Sequence, residues 1–255
     1  MSSVVALPMY VINPPDVDAL WQTLSSLLAR RDIETPQQLS WPDDLPRHWQ
    51  DTQLLLSQTC GWPLVATLPE VQVVGCFHYS AAGCDAFGYR SFLVTRRKEP
   101  GQMLADFAGR VAVCNSADSQ SGYHSLRRLT GSPETFFSQV NFSGSHVNSL
   151  QSLRNGDADI AAIDCVTWAL IQRHQPGWLA GLTAIGDTPL TPGLPLITSP
   201  STPPETLQAL RDALKQLVRE HKDVCKALLI HDFTPVPRQA WDMLLRPPQK
   251  TSPAP

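Results

Sequence analysis

Ser119-Gln120-Ser121-Gly122-Tyr123, Ser143-Gly144-Ser145-His146 and Asp164 each stand where an apolar run gives way to a helical pattern. The first turn of a helix carries backbone N–H groups without intrahelical partners and the positive end of the helix dipole, so it attracts an oxyanion. A serine there can cap the helix or offer its hydroxyl to a ligand. Taken singly, Ser121 and Ser145 read as ordinary N-caps and Asp164 as the residue that opens a helix. Taken together, two helix starts and one carboxylate at strand ends read as a polar-ligand site, because open α/β sheets bind ligands beyond the carboxyl ends of their strands.

The elements that must position these residues follow from periodicity. Val4 to Met9 predicts a buried strand, and Pro14-Pro15 opens a helix with Val17, Leu20, Trp21, Leu24, Leu27 and Leu28 on one face. Ser40 to Asp51 reads as polar and turn-rich, anchored by Trp41 and Trp49. Leu54 to Leu56 predicts a strand ending at Ser57-Gln58, Pro63 to Leu68 a short helix, and Val71 to Gly75 another strand. A loop at Gly83–Gly88 precedes a strand over Tyr89–Thr95. Helices near Met103–Phe107, Tyr123–Leu129, Val147–Asn155 and Trp168–His174 then alternate with strands at Val111–Val113, Val140–Phe142, Ile160–Ile163 and Leu182–Ile185. That alternation predicts a mainly parallel α/β sheet. Asp187 to Pro195 is rich in Pro and Gly, and Leu196–Thr198 is briefly extended. Pro204 to Glu220 is an amphipathic helix. Trp241, Leu244 and Leu245 belong to a last helix, before a Pro-rich, poorly ordered tail at Pro247–Pro255.

Composition narrows the class. A chain of 255 residues suits one large domain or two lobes, and 42% hydrophobic with 17% charged residues is ordinary for a globular protein. A net charge of −3 gives no reason to expect nucleic acid, and an anion would have to be held by local donors. No run is long enough to span a membrane, and the N-terminus lacks the basic, then apolar pattern of a signal peptide. The chain as written therefore reads as cytoplasmic, and as periplasmic if its N-terminus is truncated. The six cysteines, Cys60, Cys76, Cys84, Cys114, Cys165 and Cys225, have no metal-ligand spacing and read as free thiols. Cys76 and Cys84 are the pair that a turn would bring together under oxidation. No cofactor and no metal site is expected.

One family shares these motifs. Leu54-Leu55-Leu56-Ser57-Gln58-Thr59-Cys60-Gly61-Trp62-Pro63-Leu64, Tyr89-Arg90-Ser91, Asp118-Ser119-Gln120-Ser121-Gly122, Gly144-Ser145-His146 and Asp157 to Asp164 together resemble the phosphate/phosphite/phosphonate-type substrate-binding proteins of ABC transporters. The likeness runs from about Tyr10 to about Thr198. It implies a type II periplasmic-binding-protein fold, in which two α/β lobes close over a ligand and the chain crosses twice between them. The crossings are expected near Phe92–Thr95 and Thr188–Leu196. Residues 1–93 plus 193–255 then form lobe 1, and 94–192 form lobe 2. Family positions facing the cleft correspond to Tyr10, Tyr89, Arg90, Ser91, the Ser119–Gly122 turn, His146 and Asp164. Two features depart from the family: no signal peptide is visible, and Gln120 stands where Thr or Ser is frequent.

The expected chemistry is capture of a small anionic or zwitterionic ligand. N–H groups near Ser121, Gly122 and His146, with the hydroxyls of Ser119, Ser121 and Ser145, would receive its oxygens. Gly122 would let the backbone approach closely. Asp164 repels a fully ionised oxyanion, so it favours a monoprotonated phosphorus oxyanion or an amino-bearing phosphonate over sulfate. Tyr10, Tyr89 and Tyr123 offer flat walls for an organic substituent, or serve packing. Arg90 either neutralises the anion or pairs with a surface carboxylate. The function expected is solute capture for an ABC transporter permease, by a monomer that binds no nucleic acid. A cytoplasmic ligand sensor on the same fold is the alternative. A serine hydrolase is disfavoured, since the chain lacks a Gly-x-Ser-x-Gly elbow, a Gly-Lys-Ser/Thr loop and a His-Glu-x-x-His motif.

Overall fold

The computed structural model describes residues 3–246, so the expected Pro-rich tail from Pro247 lies outside the described residues. Twelve strands are present among them: β1 Val4–Ala6, β2 Leu54–Gln58, β3 Gln72–Tyr79, β4 Gly88–Tyr89, β5 Ser91–Arg96, β6 Val111–Cys114, β7 Gln139–Phe142, β8 Ile160–Asp164, β9 Leu182–Asp187, β10 Thr191–Pro192, β11 Pro195–Thr198 and β12 Ile230–Thr234. They build two five-stranded sheets, β1-β2-β11-β3-β12 and β7-β6-β8-β5-β9, joined by the two-stranded pair β10-β4.

The sheets are mixed, which corrects the expectation of a mainly parallel sheet. β1 pairs β2 in parallel, and β6 pairs both β7 and β8 in parallel. β11 runs antiparallel to β2 and β3, and β5 runs antiparallel to β8 and β9. Parallel neighbours need a crossover helix to return the chain. β5 and β11 instead enter their sheets straight from the β4–β10 pair, so they start where the others end.

That pair, with Thr191 opposite Tyr89 and Pro192 opposite Gly88, marks the passage between the lobes. The expected crossing at Phe92–Thr95 and the boundary at 93/94 fall inside β5, whose Phe92 and Thr95 already pair with Ile163 and Ile160 of β8. Pro195 likewise sits within the first sheet, opposite Cys76. The run Tyr89–Thr95 reads as one apolar strand in sequence. A break at Arg90 separates the linking pair from the second sheet.

Apolar periodicity sets the cores. Helix Pro14–Ala29 buries Val17, Leu20, Trp21, Leu24, Leu27 and Leu28, and helix Pro204–Glu220 buries Leu210, Ala213, Leu214, Leu217 and Val218 against the same side of the first sheet. Each leucine or valine among them contributes about 1.5–3 kcal/mol by leaving water. The opposite side gathers Trp49, Leu54, Leu64, Val73 and Trp241. Trp241 also donates its indole N–H to the Gly193 carbonyl at 2.9 Å, so the last helical segment, Arg238–Leu245, clasps the linking region. Trp49 is buried and donates to the Gln58 carbonyl, whereas Trp41, expected as a second anchor, is half exposed. The polar stretch before β2 contains a short helix, Leu45–Trp49, capped by Asp44.

Candidate functional site

A cleft of about 540 Å³ opens beyond the carboxyl ends of strands from both sheets. From the first lobe it receives Pro8 to Ile12 after β1, Cys60 after β2, and the Asp43–Trp49 region. From the second it receives Asn115 to Ser121 after β6, Gly144 to Val147 after β7, and Asp164 at the end of β8. Tyr10, Ser119, Ser121, Ser145, His146 and Asp164 of the expected set all line it.

The two helix starts are built differently from the N-cap reading of Ser121. After β6 the chain makes one wide π-type turn, Gln120–His124, and continues as helix Ser125–Thr130. Ser119 is the cap, its hydroxyl accepting the Gly122 N–H at 3.0 Å. Ser121 is thereby freed for another partner, and its hydroxyl lies 2.8 Å from Nε2 of His146. At the second start, Ser145 caps helix His146–Asn155 by accepting the Asn148 N–H at 3.1 Å. The Ser121–His146 contact therefore ties the two starts together. The N–H groups of Ser121, His146 and Val147 keep no partner among the described residues.

His146 is held neutral. Burial lowers its imidazole to about 4, and its Nδ1 is buried without a partner. One ring nitrogen meets Ser121 and the other has no partner, so the imidazole keeps one hydrogen-bonding position to spare.

Asp164 faces these donors from β8 and is almost fully buried. One carboxylate oxygen accepts the Val166 and Thr167 N–H groups at 2.7 and 2.9 Å, capping helix Cys165–His174. The other accepts the Tyr10 hydroxyl at 2.9 Å, a bond that crosses from the first lobe to the second. Burial raises the carboxyl to about 6, against the lowering effect of those three donors. Asp164 is thus both a cap and a wall of the cleft. Tyr10 packs edge-on to Tyr79, whose hydroxyl accepts from Gln58 Nε2 at 3.1 Å. Burial first, and then Asp164, pushes the Tyr10 phenol well above its ordinary range, so it stays a donor.

Four expected residues lie elsewhere. Ser91 is buried behind the site, donating its hydroxyl to the Ser121 carbonyl at 2.8 Å. Tyr89 is buried beside it, with its hydroxyl unpartnered. Gly122 does not give a ligand room: a Cβ there would stand 2.1 Å from Asn115 Oδ1, so the missing side chain accommodates Asn115. Its N–H is also committed to Ser119. Arg90 turns away to Asp187, with Nη1 at 2.7 Å from the carboxylate. That pair is partly exposed and contributes about 0–1 kcal/mol. Arg90→Ala is expected to lower the unfolding free energy by no more than about 1 kcal/mol and to leave anion affinity unchanged. Denaturant melts and calorimetry on the variant check both. Tyr123 bonds Glu134 and packs near Phe142, a structural role.

Sequence reasoning missed Asn115, whose buried Oδ1 has no partner and whose carbonyl accepts the Gly144 N–H at 2.8 Å. Its signal was its place directly after β6, the same strand-end position that marked the serines. Asp43 and Asp118 also line the cleft, while no lysine or arginine among the described residues does.

A sequence model of the family described as ABC transporter, phosphonate, periplasmic substrate-binding protein matches residues 42–241. The chain belongs to this family of transport binding proteins, whose members capture solutes and are not enzymes. No curated protein matched the sequence. Among solved structures it is similar to PhnD1 from Prochlorococcus marinus in complex with methylphosphonate, at 15% identity and a TM-score of 0.76, with 96% of each chain covered. It is also similar to a binding protein component of an ABC phosphonate transporter from Pseudomonas aeruginosa, at 17% identity and a TM-score of 0.75, covering 94% of this chain and 83% of that one. A third, XAC2383 from Xanthomonas citri bound to ATP, gives 17% identity, a TM-score of 0.71 and 96% coverage of each chain. At such identities the likeness establishes the fold, that of the periplasmic binding proteins.

Proposed function

We propose that the cleft captures a small phosphonate or a related protonated phosphorus oxyanion and presents it, as a monomer, to an ABC transporter permease. The observation that carries this reading is the Ser121–His146 bridge, which joins two helix starts with unpartnered N–H groups opposite a buried Asp164. Oxyanion oxygens on those N–H groups and on the free His146 nitrogen gain charge-assisted hydrogen bonds of about 1.5–3 kcal/mol each. Among the described residues no lysine or arginine lines the cleft, yet Asp43, Asp118 and Asp164 do. Those carboxylates favour a ligand that carries its own proton or ammonium group, so an aminoalkylphosphonate suits the lining better than a fully ionised anion.

A thermal-shift panel tests this at neutral pH, with methylphosphonate, 2-aminoethylphosphonate, phosphite, phosphate and sulfate. A binder present at a hundred times its Kd adds about 2.7 kcal/mol to stability. Phosphonates are expected to raise the melting temperature, the aminated one most, and sulfate to leave it unchanged. A panel in which sulfate matches or exceeds every phosphorus ligand overturns the reading.

A further inference from the structure

The six cysteines are all free, and two of them meet across the lobes. Cys84 Sγ lies 3.5 Å from Cys165 Sγ, although 81 positions separate them in the chain. Cys84 belongs to the turn after β3 of the first sheet, closed by its N–H on the Ala81 carbonyl at 3.1 Å. Cys165 opens the helix after β8 of the second sheet, one residue beyond Asp164. Cys76, the partner that a turn would offer Cys84 under oxidation, is fully buried and directs its thiol to the Leu194 carbonyl.

A second observation shows that the approach is built. Gly83 has φ +95°, and a Cβ on it would lie 3.1 Å from Cys165 Cβ and 3.3 Å from its sulfur. Only glycine lets this turn press against the helix start and lay Cys84 on Cys165. A disulfide needs sulfurs at about 2.05 Å and Cα atoms usually within about 7 Å. From 3.5 Å the sulfurs must close by about 1.5 Å to bond.

We propose that Cys84 and Cys165 are a disulfide-forming site, which a low-molecular-weight disulfide oxidises to tie the first lobe to the ligand-facing helix start of the second. Cys84 is half-buried, the more accessible of the two, and reacts first. Its thiolate attacks the oxidant's S–S bond, giving a mixed disulfide and releasing one thiol. The Cys165 thiolate then attacks the Cys84 sulfur and expels the second thiol. Two S–H bonds and the oxidant's S–S bond are lost, the protein gains one S–S bond, and both electrons end on the oxidant's sulfurs. The hydrogen bond to Cys84 and burial hold the Cys165 thiol high, so the closing step quickens as pH rises.

The test incubates the full chain with oxidised glutathione at mildly alkaline pH, then blocks remaining thiols and maps peptides. The expected result is a Cys84–Cys165 crosslinked peptide, loss of two thiols, and a melting temperature raised by about 5–10 °C. Dithiothreitol should reverse all three. Cys84→Ser, at a half-buried turn position, should give neither crosslink nor rise. Six thiols remaining at equilibrium, a stable glutathione adduct on Cys84, or a crosslink between any other pair overturns the proposal.

Discussion

Ser121→Ala is expected to weaken phosphonate binding by about 1–3 kcal/mol, a loss of roughly 5- to 150-fold in affinity. The substitution removes the hydroxyl that joins the two helix starts and leaves His146 Nε2 without its partner at 2.8 Å. The imidazole then loses the contact that fixes its tautomer and its orientation. Stability should fall by only about 1 kcal/mol, because one hydrogen bond is lost and the helix keeps its cap. That cap is Ser119, not Ser121. Calorimetric titration with methylphosphonate, paired with denaturant melts, separates the two effects. An unchanged affinity would show that the oxyanion does not engage this start.

Asp164→Asn is expected to change how both stability and ligand preference depend on pH. Burial holds the folded carboxyl at about 6, against an ordinary 3.8. A group whose folded pKa is raised stabilises the fold fully below its unfolded pKa, and that contribution is lost as pH rises through the folded one. A span of about two units corresponds to roughly 3 kcal/mol lost between about pH 4 and 7. His146 runs the other way. Its pKa is lowered from 6.5 to about 4, so its contribution is present above 6.5 and is lost as pH falls through about 4.

In the wild type the two opposing slopes partly cancel. Asp164→Asn removes one of them. The variant should be the more stable protein near pH 8, by up to about 3 kcal/mol, and should lose stability more steeply on acidification. Asparagine caps a helix about as well as aspartate, so the cap itself changes little. Denaturant melts across a pH series check the slopes. Titrations at the same pH values check the ligand: without the carboxylate, sulfate and fully ionised phosphate should gain on protonated or aminated ligands. If preference is unchanged at every pH, Asp164 is a helix cap and no more.

Much of the site was legible because helix starts write themselves locally. Serine, glycine and aspartate at the end of an apolar run mark the Ser119–Gly122, Ser145–His146 and Asp164 junctions, and the structure brings all three to one cleft. Which serine caps and which reaches out was not legible. The π-type turn moves the cap to Ser119. The partner of Ser121 is 25 residues away, on a helix that only tertiary packing brings near. Arg90 shows the same limit, since its partner Asp187 is 97 positions along the chain.

The fold divides in the same way. Helices Pro14–Ala29 and Pro204–Glu220 announce themselves by a 3.6-residue stripe of leucines. Strand β12, Ile230–Thr234, did not, because Ile230, His231, Asp232 and Phe233 alternate poorly at a sheet edge that exposes His231 and Asp232. Strand direction was missed for a deeper reason. Alternating strands and helices imply parallel pairing only within one sheet, and β5 and β11 each follow a passage between two.

On the proposed function, a phosphorus oxyanion sits on the two helix starts bridged by Ser121 and His146. A titration of isotopically labelled protein with methylphosphonate, followed by amide-resolved NMR, tests it most directly. The backbone amide signals of Ser121, His146 and Val147 are expected to move downfield together, saturating with a single Kd, while that of Arg90 stays in place. Equal movement with sulfate, or saturating shifts confined to residues outside the cleft, would contradict it.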